Sequence, residues 1–80
     1  MPKIYEEAGL VFFFYSSDMD EPPHVHVWSP QGQMKVWLNK DLEVEECYSI
    51  PFHEWRKILE IISKNRETFL NKWYEFKKWG

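Results

Sequence analysis

Residues 42–59 read LEVEECYSIPFHEWRKIL, and the chain changes its period inside them. From Leu42 to Cys47, Leu42, Val44 and Glu46 fall on one side and Glu43, Glu45 and Cys47 on the other, the period of two that a strand imposes. From Phe52 onward the spacing is helical, with Phe52, Trp55, Ile58, Leu59 and Ile62 forming one stripe. Ser49 and Ile50 lie between the two regimes. Pro51 suits the first position of a helix, where its missing N–H is not needed. Strands are expected before residue 50 and helix only after it. The stripe also predicts that Trp55 and Leu59 are buried.

Toward the N-terminus, Asn39-Lys40-Asp41 reads as a hairpin connection to a strand over Gln33–Leu38, where Met34, Val36 and Leu38 oppose Gln33, Lys35 and Trp37. Ser29-Pro30-Gln31-Gly32 is a turn. His24–Trp28 is a strand with His24, His26 and Trp28 on one face and Val25 and Val27 on the other. Leu10–Tyr15, aromatic and branched, is the first of the four. Toward the C-terminus, Ser63-Lys64-Asn65 reads as a break, with Asn65 as the N-cap of a second helix over Arg66–Lys78. A single helix over 52–78 would be about 40 Å long and would leave half its apolar stripe beyond a small sheet. The expected fold is α+β: a small antiparallel sheet of about four strands followed by two C-terminal helices, one domain over 1–80.

Composition agrees with that size. Eighty residues allow one domain, and 19% aromatic residues exclude a disordered polar segment. The single cysteine, Cys47, excludes an intrachain disulfide framework and a thiolate zinc finger. Glu45 and Glu46 beside it raise a thiol pKa rather than lower it, which disfavours a nucleophile. Gly9 and Gly32 stand alone, so no phosphate loop is present. The apolar run Leu10–Tyr15 is too short to span a bilayer and is not followed by a cleavage site, so a cytoplasmic, non-membrane protein is expected. Charge is polarised. Residues 1–50 hold three lysines against nine acids, a formal −6, and residues 51–80 seven cations against four acids, +3.

The most distinctive string is Asp18-Met19-Asp20-Glu21-Pro22-Pro23-His24-Val25-His26-Val27. Two histidines at i, i+2 of a strand project together, and imidazole suits zinc and other divalent first-row metals. Asp18, Asp20 or Glu21 supplies an oxygen ligand from the loop, and Asp20 is the choice made with His24 and His26. The competing reading is structural, a histidine pair that hydrogen-bonds the Pro-Pro loop. His53, in the first helical turn, joins them only if that helix end packs over the second strand.

The opening Met1-Pro2-Lys3-Ile4, Gly9 before an aromatic strand, and Pro22-Pro23-His24-Val25-His26-Val27 resemble the small prokaryotic domain of unknown function family 4160. The likeness continues through the Trp37 hairpin, the Ile50-Pro51 helix entry and Trp73. The resemblance implies a small cognate protein as partner, in a toxin–antitoxin-like pair, and brings no settled reaction. Family members commonly carry a histidine just before Pro-Pro, where this chain has Met19-Asp20-Glu21, and another in the tail, near Asn65. The resemblance therefore implies no tight metal site and no cofactor here, with a divalent metal such as zinc as the alternative.

The tail Lys72-Trp73-Tyr74-Glu75-Phe76-Lys77-Lys78-Trp79 alternates basic and aromatic residues. Trp73, Phe76 and Trp79, rimmed by Lys77 and Lys78, make a candidate docking strip for a small partner protein or a second copy. Core packing of Trp73 and Phe76 is the simpler reading of the same residues. Stacking on nucleic acid is not favoured, because the net charge is −3. The expected function is a protein-interaction module. The alternatives are a metal-dependent hydrolase or nuclease using His24 and His26, and a nucleic-acid-binding regulator.

Overall fold

The computed structural model describes residues 3–79, with the side chain of Trp79 left outside the description. Five strands, β1 (Lys3–Glu7), β2 (Leu10–Phe13), β3 (His24–Ser29), β4 (Gly32–Trp37) and β5 (Val44–Tyr48), form one antiparallel meander in the order β1-β2-β3-β4-β5. A single helix, α1 (Phe52–Trp79), follows. The only other helical segment among the described residues is a short 3₁₀ turn over Ser16–Asp20.

The connections follow from local chemistry. β1 and β2 are joined through Ala8 and Gly9, both at positive φ (54° and 79°), the backbone that a tight two-residue hairpin turn requires. In the β3–β4 turn, the Ser29 hydroxyl accepts the N–H groups of Gln31 and Gly32 at 3.1 and 3.2 Å. Gly32 is required for a different reason. A Cβ there would stand 1.8 Å from the Tyr48 carbonyl oxygen on β5.

Alternation sorts the sheet into two faces. Leu10, Phe12, Phe14, Val25, Val27, Met34, Val36 and Leu38 are buried with Ile58, Ile61, Ile62, Phe69 and Trp73 of α1, in one cluster. This burial drives the fold, at roughly 1.5–3 kcal/mol for each large apolar side chain removed from water. The other face carries Phe13, His26, Trp28, Gln33 and Lys35 across β2, β3 and β4.

The expectation of four strands and two helices is overturned, and the two differences have one cause. Lys3–Glu7 pairs with Leu10–Phe13 as a fifth strand. It widens the sheet under the second half of the helix: Tyr5 lies 5.8 Å from Phe69 between ring centroids, and Phe12 lies 5.6 Å from Phe69. The apolar stripe beyond residue 63 therefore does find sheet to cover it. No break occurs at 63–65. Asn65 donates its side-chain amide to the Ile61 carbonyl at 2.8 Å, one turn back inside the helix, instead of capping a new one.

The stripe is also turned slightly from its expected phase. Ile58, Ile61 and Ile62 are the deeply buried positions, Trp55 and Leu59 are half-buried, and Phe52 is 79% exposed. No helix among the described residues is long and apolar enough to cross a membrane.

Candidate metal centre

The β2–β3 connection folds back over the start of β3. The Asp18 N–H donates to the Tyr15 carbonyl at 3.0 Å, and the Tyr15 N–H donates to Asp18 Oδ2 at 2.8 Å. This reciprocal pair fixes the carboxylate at the turn's inner side. Pro22 and Pro23 then force extended backbone into β3, and the Pro23 carbonyl accepts the Leu38 N–H at 2.9 Å, fixing the strand entry to β4.

Asp18, His24 and His26 converge, with one ligand atom from each lying within 4.8 Å of the other two. His26 Nε2 is 2.8 Å and His24 Nε2 3.2 Å from Asp18 Oδ2. The side chain of His24 is fully buried, while those of Asp18 and His26 retain 10% and 15% of their exposure. Aromatic rings form the walls. His26 stacks on Phe13 at 5.4 Å and meets Tyr15 edge-on at 4.7 Å. His24 lies 5.3 Å from Trp37 and 5.0 Å from Trp73, which reaches it from α1.

Proton placement in this cluster is constrained. His24 Nδ1 sits 3.0 Å from the Pro22 carbonyl, an acceptor that can only be met by an N–H, so Nδ1 carries a proton. Nε2 is the ring nitrogen left to face the cluster. It is buried without a hydrogen-bond partner, because its 3.2 Å approach to Asp18 Oδ2 is too far off line for a bond. The carboxylate it approaches already accepts from the Tyr15 N–H and from His26 Nε2, each at 2.8 Å. An imidazole that donates one nitrogen to a backbone carbonyl and offers the other is the arrangement in which histidine ligates metals.

Two protonation equilibria fit a ligand role. Burial holds the His26 imidazole below its ordinary pKa, and Asp18 offsets this only in part. Burial alone would raise the Asp18 carboxyl, but the Tyr15 N–H and the two imidazoles outweigh it and leave the group below its usual range. Near neutral pH, Asp18 is therefore an anion and His26 a neutral ring whose Nε2–H donates to Asp18 Oδ2 at 2.8 Å, so a metal held here would take the place of that proton.

His24 and His26 lie together. The carboxylate with them is Asp18, while Asp20 is exposed at the end of the 3₁₀ turn and outside the cluster. Glu21 stands 3.8 Å from His24 Nδ1 but is engaged by Lys35 at 2.8 Å. His53 is exposed and is not one of the three. Asp18 is one of three acids that the loop offers. The spacing that could have selected it is Tyr15 to Asp18, since residues three apart eclipse in a 3₁₀ turn and Tyr15 faces His26.

In the tail, Trp73 is buried, 5.1 Å from Phe14 between ring centroids, and Phe76 is half-buried and stacks on Phe14 at 6.3 Å. Lys77 and Lys78 are exposed, and the Trp79 side chain lies outside the described residues. Cys47 is half-buried, its thiol 3.5 Å from the Ile50 carbonyl.

Residues 9–74 match the family described as Domain of unknown function (DUF4160). The match covers most of the chain, which belongs to that family. No curated protein and no solved structure matches it.

Proposed function

We propose that this DUF4160 chain is a metal-dependent hydrolase whose metal, zinc in first place, is held by Asp18, His24 and His26. The observation that carries this reading is the buried, partnerless His24 Nε2 directed among the other two donors. Two imidazoles and one carboxylate suit zinc in a site that keeps a position for water. A bound zinc ion lowers the pKa of that water toward neutrality and polarises the oxygen of the group attacked. The protein orients its ligands through the Pro22 carbonyl and the Tyr15 N–H. Phe13 and Trp37 pack against the two imidazoles, an apolar surround that strengthens electrostatic interactions inside.

Charge argues for the class of substrate. The sheet half of the chain is formally −6, and Lys35, the cation nearest the site, is already paired with Glu21. A polyanion such as nucleic acid meets repulsion here. A neutral ester or amide fits better. The test is turnover of neutral nitrophenyl esters and of a nitrophenyl phosphodiester by zinc-loaded protein. Zinc-dependent cleavage of the esters, abolished in H26A, is expected. Cleavage of neither, by protein proven to hold one zinc per chain, contradicts the hydrolase reading.

A further inference from the structure

We infer that the first three turns of α1 form the surface through which this chain pairs with a second copy of itself. The surface holds a groove of about 680 Å³ whose apolar lining comes from Leu42, Phe52, Trp55 and Leu59. Phe52 is 79% exposed at one end, its ring 5.0 Å from that of Trp55. Ser63, small and exposed, lies at the other end, three helical turns or about 16 Å along the axis. An exposed aromatic knob beside an apolar groove marks a contact surface rather than a random surface residue.

The occupant follows from self-complementarity, which a two-fold interface demands. In an antiparallel pairing centred between residues 57 and 58, Phe52 of each copy falls over Ser63 of the other, where the small side chain leaves room. Residues 52, 56, 59 and 63 share a face at helical spacing, so each Phe52 also meets Leu59 of the second copy. The charges repeat the pattern. Arg56 and Glu60 flank the groove, 3.4 Å apart and exposed by 89% and 59%. An intrachain pair so exposed contributes little and is free to re-pair. In this register Arg56 falls over Leu59 of the second copy, one residue from that copy's Glu60, so the long side chains reach each other across the seam, twice. The rim carries both signs, with Asp41 and His53 beside this pair, so it selects neither a strongly acidic nor a strongly basic partner. A surface with one knob, one recess and an exposed pair of opposite charges fits its own copy.

Sedimentation of the full chain across micromolar to millimolar concentration tests this. A concentration-dependent dimer is expected, weakened about tenfold or more in F52A, as for a truncated aromatic anchor, and blocked by S63W. R56E and E60R each weaken association. Their equimolar mixture restores it, because one chain then presents two acids and the other two cations. Helical circular dichroism stays unchanged, since the altered side chains are exposed. A monomer at every concentration overturns the proposal. So does a dimer indifferent to F52A and S63W, or a mixture that associates no better than its components.

Discussion

At the scale of single residues, the histidine pair was legible, and so was a loop acid beside it, but not which of Asp18, Asp20 and Glu21. Strand alternation places His24 and His26 on one face whatever the rest of the chain does. Asp18 and Asp20 are two residues apart in a polar loop. Their difference arises only when Ser16–Asp20 winds into a 3₁₀ turn that points one acid inward and the other to solvent. The pKa directions give a testable consequence for metal-free protein. His26 titrates lower in the folded chain than its ordinary 6.5, so folding favours the neutral ring. The stability this contributes is complete above about pH 6.5 and is lost as pH falls below it. Asp18 is depressed below 3.8, so its contribution persists above that value and disappears as pH falls through the lower folded pKa. Denaturation followed against pH should show decline beginning near 6.5 and a second decline below 3.8. H26A should lack the first step. A midpoint that stays flat or rises from pH 7 to 5 would contradict the assignment.

At the scale of elements, the switch of period near Ser49 located the sheet-to-helix boundary, because alternation and helical stripe are both local patterns. The fifth strand was hidden because Lys3–Glu7 is a short edge strand, with Lys3, Glu6 and Glu7 exposed and only Ile4 and Tyr5 partly buried. Missing that strand led directly to splitting the helix, since its second half then had nothing to cover. The continuity of α1 has a sharp test in R66P. With Asn65 as an N-cap, proline at the next position would sit where its missing N–H is harmless. In the middle of a continuous helix it removes a backbone hydrogen bond and clashes with the preceding turn, costing about 3 kcal/mol or more. The Arg66 guanidinium bond to the Asn39 carbonyl, at 3.2 Å, is lost as well. Urea denaturation should show that loss. An R66P chain as stable as the parent would mean that the helix is broken there.

At the scale of the whole molecule, the candidate centre is where the three parts of the fold meet. The 3₁₀ turn supplies Asp18, the sheet supplies His24 and His26, and α1 supplies Trp73, whose ring packs on His24. The meeting with Trp73 is not written in the local sequence, since residues 24 and 73 become neighbours only when the helix closes over the sheet. An ion bound there ties the loop to the strand and stabilises the folded chain in proportion to its occupancy, by about 2.7 kcal/mol at a hundred times its dissociation constant. Under the proposed reading, Asp18 would be the third donor beside His24 and His26. Calorimetric titration of zinc into metal-free protein is the direct measurement. The account predicts one ion per chain, with binding retained in D20N and lost in H24A, H26A and D18N, where asparagine keeps an oxygen for the Tyr15 N–H but not the charge. No binding by the parent chain, or binding lost in D20N and kept in D18N, would contradict it.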